Sequence, residues 1–122
     1  MAGVPADGLG HLRIVLDAHA YIGPGRADLL EAIAQSGSIT AAGNAKGMRY
    51  KRAWGLVQAL QEGFGTALVE TSRGGAGQGG AQLTEAGQFV LARYRAMQDS
   101  TRQAIADDVA ALRQYFDMSE RK

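Results

Sequence analysis

The amino-acid sequence predicts a mainly helical fold with a small β-sheet and one long C-terminal helix. Three observations predict it. Apolar residues recur at spacings of three and four in residues 26–35, 53–64 and 90–116. Two short stretches of strand-forming residues flank a glycine-rich segment at residues 74–80. The length of 122 residues suits one domain with a modest core and an extension.

Composition excludes several classes of protein. The chain has no cysteine, which excludes a disulfide framework and thiolate metal sites. A bilayer span needs about 20 apolar residues, which no stretch reaches, and the N-terminus has no basic region followed by an apolar run. We therefore expect a cytoplasmic protein without a membrane partner. The balance of 13 Lys and Arg against 12 Asp and Glu does not by itself indicate a nucleic-acid binder.

The N-terminal part of the chain predicts a small hairpin followed by a helix. Residues 1–10 are rich in Gly, Ala and Pro and are predicted to be flexible. Residues 11–16 alternate apolar with polar side chains and are predicted to form a strand, with a return strand at residues 20–22. The Gly-Pro-Gly sequence at residues 23–25 ends this hairpin, and residues 26–35 place an apolar stripe on one helix face.

A helix-turn-helix pattern follows. Ser38 is a residue type that caps helices, and the alanines after it allow a second helix to approach closely. Gly47 interrupts the pattern, and a second helix begins near Arg49. In this motif the second helix enters the DNA major groove with its N-terminal residues facing the base edges.

Charge placement around the motif favours nucleic acid. No acidic residue lies between Glu31 and Glu62, whereas four cations do. Such a cluster can neutralise phosphates, and the alternative is an ordinary solvated helix face. We predict that Lys51 and Arg52 contact bases or phosphates early in the second helix and that their neighbours frame them. The full set of predicted DNA-contacting residues is Thr40, Arg49, Tyr50, Lys51, Arg52 and Arg73.

The second helix of the motif has one apolar face. Ala53, Val57, Leu60 and Phe64 recur at helical spacing and predict its buried side. Gly55 is unfavourable in a helix interior and suggests close approach to something, such as a DNA backbone. Trp54 could stack on a base, but its position favours a packed core or hinge residue.

A glycine-rich hairpin follows the motif. Strands are predicted at residues 66–71 and 81–84, joined by residues 73–80 with Arg73 at the base of the loop. A hairpin in this place is the wing of a winged helix-turn-helix. The loop also fits the G-x-G-x-x-G spacing of a dinucleotide site at residues 75–80. That site needs a helix directly after the loop, whereas a strand is predicted there, so we expect no cofactor.

The last predicted element is one long helix that begins after Thr84. Its apolar stripe exceeds what one small domain can cover, so we predict a homodimer formed through it. The alternative is a helix that folds back on its own core. We thus predict a DNA-binding domain at residues 11–84 and a dimerisation helix at residues 85–122. The predicted dimer contacts are Val90, Tyr94, Met97, Ile105, Val109 and Leu112.

Catalytic and metal chemistry find little support in the sequence. His11 and His19 are the only histidines and have no ligand partners at suitable spacing except Asp17. Asp107 and Asp108 are adjacent on a helix and point apart. We therefore expect no enzyme, no catalytic residue and no metal site.

Ordered motifs across residues 12–97 closely resemble those of one regulator family. They are residues 23–33, Ser-Gly-Ser-Ile at residues 36–39, residues 47–54 and the glycine-rich stretch through Thr84. They resemble the N-terminal domain of ModE-type molybdate-responsive transcriptional regulators. Phe64-Gly65 followed by Leu-Val-Glu at residues 68–70 is more loosely similar to LysR-type winged helices.

The resemblance implies a winged helix-turn-helix with a recognition helix at about residues 49–61 and a dimerising C-terminal helix. It implies double-stranded DNA as the partner, as an inverted repeat bound by a homodimer. Arg49 stands where the family pattern has Ser, which removes a helix cap and adds a cation. Because the chain ends at Lys122, we expect a stand-alone DNA-binding unit without a molybdate domain, and no effector is assigned. The alternative function is a protein-interaction module with the same fold.

Overall fold

A computed structural model describes residues 4–73 and 79–117 of the chain. The observed elements confirm a mainly helical fold with two small antiparallel sheets. Residues 74–78 lie outside the described residues. They form most of the predicted glycine loop and include the first residues of its G-x-G-x-x-G spacing. In chain order the elements are β1 (Ile14–Val15), β2 (Tyr21–Ile22), α1 (Pro24–Ser36), α2 (Ile39–Ala45), α3 (Tyr50–Phe64), β3 (Val69–Arg73), β4 (Gly79–Leu83) and α4 (Glu85–Tyr115).

Helices α1, α2 and α3 enclose one apolar core together with β2, the wing strands and the first turns of α4. Pro24 opens α1, where its missing N–H is not needed, and Gly37 ends the helix with φ of 73°. The predicted apolar faces of α1 and α3 are the ones buried. The core comprises Ile22, Ala27, Leu29, Leu30, Ile33, Ile39, Ala42, Ala53, Val57, Leu60, Leu68, Val69, Leu83 and Tyr94.

The turn between α2 and α3 depends on two glycines. Gly47 adopts φ of 70°, which favours glycine. A Cβ at position 43 would lie 3.1 Å from the Cβ of Ala53 and 3.2 Å from the carbonyl oxygen of Met48. The helices therefore cross closely enough to fix the direction of α3. The predicted cap is also present, because the Ala41 N–H donates to Ser38 Oγ at 3.1 Å.

Strands β3 and β4 form the predicted wing hairpin. Their register runs from Val69 opposite Leu83 to Arg73 opposite Gly79. Strand β3 begins at Val69, later than the predicted residue 66. Strand β4 begins at Gly79, earlier than the predicted residue 81. The Gln61 side-chain oxygen accepts the Leu68 and Val69 N–H groups at 3.1 and 3.0 Å, which holds the preceding residues out of the sheet. The fold is therefore a winged helix-turn-helix.

The N-terminal hairpin is shorter than predicted. Only two residue pairs are bonded, Ile14 with Ile22 and Val15 with Tyr21. Asp17 accepts the N–H groups of His19 and Ala20, which closes the turn. The hairpin packs against the C-terminal end of α3, where a Cβ at position 63 would collide with the carbonyl oxygen of His19.

Helix α4 spans 31 residues, or about 46 Å at 1.5 Å per residue. The Thr84 hydroxyl accepts the Gly87 N–H at 3.0 Å and so caps the helix as predicted. The first half of α4 packs on the domain core. Arg95 joins it to α1 through ion pairs with Asp28 at 2.8 Å and Glu31 at 3.0 Å.

The N-terminal segment lies against the second half of α4. Arg102 Nε lies 2.7 Å from a carboxylate oxygen of Asp7, and Arg113 donates to the carbonyl oxygens of Pro5 and Ala6 at 3.1 and 2.6 Å. These polar contacts place Pro5, Ala6 and Asp7 beside the helix, and the predicted flexibility of residues 1–10 stays a prediction. None of the helices in the described ranges is long and apolar enough to cross a membrane.

Candidate nucleic-acid interface

The first turn of α3 presents the predicted cations to solvent. Arg49, Lys51 and Arg52 are exposed, as is Lys46 in the preceding turn. Within residues 4–73 and 79–117, none of these four cations pairs with a carboxylate. A ligand that approached this end of α3 would meet positive charge that no carboxylate of the described residues neutralises.

The N-terminus of α3 adds to this positive potential. Arg49 occupies the N-cap position and its side chain makes no capping hydrogen bond. The first turn contains no acidic residue. The first backbone N–H groups of the helix therefore point outward beside the cations, and both favour an anion.

A cavity of about 510 Å³ opens beside this turn, between α2, α3 and the wing. Thr40, in the first turn of α2, contributes to its wall together with Tyr50 of α3. Trp54 forms part of the wall and also packs on the core, which agrees with the interpretation of this tryptophan as a packed residue. The lining residues are Ser38, Ile39, Thr40, Tyr50, Trp54, Thr71, Ser72, Gly80 and Ala81.

The cavity contains residues that sequence reasoning missed. The sequence indicates only a capping role for Ser38, places Thr71 at the end of the predicted wing strand and gives no role to Ser72. Their signal was the Thr-Ser pair at the exposed end of β3. The pair became meaningful only when the hairpin register brought it beside α2 and α3.

Two predicted contacts have a more restricted outcome. Arg73 ends β3 opposite Gly79, which places its backbone at the base of the wing as predicted, and its side chain lies outside the described residues. Gly55 is exposed, and a Cβ there would meet nothing within 4 Å. The close approach predicted at Gly55 is therefore not made within the described chain, so its face of α3 is open.

The predicted dimer contacts fall into two groups. Tyr94 is fully buried in the domain core, so its assignment to a dimer interface is wrong: the side chain is used within one chain. Val90 and Met97 are half-buried and border an apolar groove on α4. Ile105 and Val109 are half-buried on the second half of α4, and Leu112 is 61% exposed.

Metal ligands do not cluster in the described residues. No group of three or more His, Cys, Asp or Glu side chains lies close enough there to hold a metal ion. His11 and His19 are both exposed.

A family model described as the bacterial regulatory helix-turn-helix protein, lysR family, matches residues 26–88, more than half of the chain. The chain belongs to this family. The matched segment begins in α1 and ends in the first turn of α4, so it contains the basic turn of α3, the cavity and the wing.

Several curated relatives share this segment. The molybdenum-pterin-binding protein MopA of Rhodobacter capsulatus is 39% identical over 84 residues, which cover 69% of this chain and 32% of MopA. The DNA-binding transcriptional dual regulator ModE of Escherichia coli K12 is 37% identical over 83 residues, which cover 68% of this chain and 32% of ModE. The chain thus spans about a third of the length of these relatives. The predicted similarity to ModE-type regulators is confirmed.

A solved structure agrees with the fold assignment. The protein in the crystal structure of the CbnR_DBD–DNA complex aligns with a TM-score of 0.57 at 25% identity. The alignment covers 73% of this chain and 97% of that chain.

Proposed function

We propose that this chain is a sequence-specific DNA-binding transcriptional regulator that reads duplex DNA with the first turn of α3. The observation that carries the proposal is the exposed basic turn of α3 on a helix-turn-helix scaffold, whose cations form no ion pair within residues 4–73 and 79–117. Support comes from the family of regulatory proteins to which the chain belongs and from its similarity to a protein in a DNA complex.

The geometry supports different roles in DNA binding for the predicted contact residues. Lys51 and Arg52 lie in the first turn of α3, the part of a recognition helix that faces base edges. Arg49 and Tyr50 flank them at the helix start. Thr40 faces the neighbouring cavity and suits a phosphate contact, and Arg73 begins the wing loop.

We further propose that the regulator is a homodimer that binds an inverted repeat. An apolar groove runs between β1 and the first half of α4, with Phe89 and Leu16 each 64% exposed. Exposed apolar surface of this kind is typical of interaction sites, and α4 of a second copy would cover it. Two copies related by a two-fold axis would present two α3 helices to two half-sites.

DNA as the proposed partner implies a cellular location. A regulator of bacterial DNA works in the cytoplasm, and its action is binding rather than catalysis. The names of several relatives refer to molybdenum, but the chain spans about a third of the relatives described above, so no effector is assigned to it. No observation favours the alternative of a protein-interaction module without DNA specificity.

Selection of binding sites from a pool of random duplexes at near-physiological salt tests the proposal. We expect enrichment of an inverted repeat whose half-sites are separated by about one helical turn or a multiple of it. A folded sample that enriches no sequence would contradict the proposed function and favour the interaction module. Enrichment of single half-sites would retain DNA reading and contradict the dimer.

A further inference from the structure

The cavity between α2, α3 and the wing is unusual for its lining. Five of its nine lining residues carry a hydroxyl: Ser38, Thr40, Tyr50, Thr71 and Ser72. None of the nine has a charged side chain. We call this cavity the hydroxyl slot, because its polar side-chain donors are neutral while the cations lie outside it.

Most of these hydroxyls are available to a ligand. The Ser38 oxygen already accepts the Ala41 N–H at 3.1 Å. Within residues 4–73 and 79–117, the hydroxyls that form hydrogen bonds belong to Ser36, Ser38, Thr84, Tyr94 and Thr101, so those of Thr40, Tyr50, Thr71 and Ser72 have no partner there. Each hydroxyl can donate one bond, and bonds to an anionic oxygen are among the stronger ones in proteins.

The backbone holds the slot in shape. The Ala81 N–H donates to the carbonyl oxygen of Gly37 at 2.8 Å, which ties β4 to the residue before the Ser38 cap. Opposite β4, Thr71 pairs with Ala81 and Ser72 with Gly80, so the wing hydroxyls have a fixed register against α2. A slot fixed in this way does not need to be ordered when it binds a ligand.

We propose that the hydroxyl slot holds a phosphodiester of the DNA backbone, with Thr71 and Ser72 of the wing and Tyr50 of α3 as neutral donors. This inference rests on the proposed function. The slot adjoins the basic turn of α3, so a duplex whose major groove holds α3 runs one strand between α3 and the wing. Trp54 supplies an apolar wall against which a deoxyribose packs.

Neutral donors give the proposal a signature that cations do not share. A Lys or Arg on a phosphate releases counterions, so its removal lowers the salt dependence of binding by about one charge. A hydroxyl releases none. Loss of the slot hydroxyls should therefore weaken binding equally at every salt concentration.

The test compares the full chain with the double variant Thr71→Val and Ser72→Ala on the inverted repeat recovered by selection. We expect a loss of about tenfold in affinity with an unchanged slope against salt. Thr66→Val is the matched control, because this exposed threonine lies outside the slot. Tyr50→Phe provides an independent variant that removes one hydroxyl from α3 and leaves the wing intact.

A scan of the same repeat with single neutral methylphosphonates identifies the phosphate. One position per half-site should weaken the wild type but not the double variant, because the contact is already lost. Inorganic phosphate at constant ionic strength should not compete, since the slot takes phosphate as part of a duplex. Competition would instead show a free-anion site and overturn the proposal.

Two results separate this inference from the proposed function. If both slot variants bind as tightly as the wild type while Lys51→Ala binds more weakly, the slot proposal is overturned and the regulator remains. If every methylphosphonate effect is additive with the double variant, the slot proposal is also overturned. If the wild type binds no duplex, both proposals fail.

Discussion

The phenol of Tyr94, in the first half of α4, donates a hydrogen bond of 2.7 Å to the backbone carbonyl oxygen of Leu12, just before β1. The two residues are 82 positions apart in the chain. Gln98, one turn further along α4, is also buried and donates to the Tyr94 oxygen at 3.4 Å. The long helix is thus joined to the N-terminal hairpin by a buried polar contact.

Tyr94→Phe should lower the free energy of unfolding by about 1 to 2 kcal/mol, because it leaves the Leu12 carbonyl without its partner. Tyr94→Ala should cost about 3 to 5 kcal/mol, since it also leaves a cavity in the core. Urea denaturation measures both. Equal stability of wild type and Tyr94→Phe would contradict the role assigned to this bond.

Alkaline pH should weaken the same contact. Burial raises the pKa of Tyr94 above its ordinary value. The native state therefore holds this proton more tightly than the unfolded chain does. The stability that Tyr94 supplies is fully present below the unfolded-state pKa of about 10 and is lost as the pH rises through the folded-state pKa. Urea denaturation across this range should show a smaller decline in Tyr94→Phe than in the wild type.

Gly55→Ala should separate stability from DNA binding. Position 55 is exposed inside α3 and has open space around it, so alanine should raise the free energy of unfolding by about 0.5 to 1 kcal/mol. If a DNA backbone approaches this face, the same variant should bind the inverted repeat more weakly. Unchanged affinity would show that Gly55 does not contact the duplex.

The basic turn of α3 should determine affinity. The double variant Lys51→Ala and Arg52→Ala should bind DNA more weakly and with a salt dependence reduced by about two charges if both residues contact phosphates. If one of the two residues instead contacts a base, its loss should remove about 1 to 3 kcal/mol of discrimination at the base pair that it contacts. Arg13→Ala is the control. It removes an exposed cation next to the N-terminal hairpin, which packs on the C-terminal end of α3, and this variant should bind DNA normally. Normal binding by the double variant would refute the assignment.

Phe89→Glu should dissociate the proposed dimer without unfolding the domain. The ring is 64% exposed in the single chain, and a second copy would bury it together with any charge placed there. Sedimentation equilibrium should then report a monomer that binds the full inverted repeat less tightly than the wild type does. Gln88→Glu is the matched control, because it introduces the same charge on a different face of α4. A dimeric Phe89→Glu protein would place the interface elsewhere.

Local sequence signals determined most of the elements. The caps at Ser38 and Thr84, the helix break at Gly47 and the apolar faces of α1 and α3 all depend on residues within a few positions, and each was predicted. The basic character of the start of α3 was also predicted, because it depends only on the local cations and on the absence of acidic residues between Glu31 and Glu62.

Only the tertiary structure decided the features that depend on distant partners. Tyr94 has the same periodicity as the other apolar residues of α4, and it is the packing of α4 on the core that removes it from any dimer contact. The contacts of Ala6 and Asp7 could not be predicted from local sequence, because their partners Arg113 and Arg102 lie at the far end of the chain. The hydroxyl slot could not be predicted for the same reason. Its walls come from separate segments, and periodicity or propensity within one segment does not show that these segments meet.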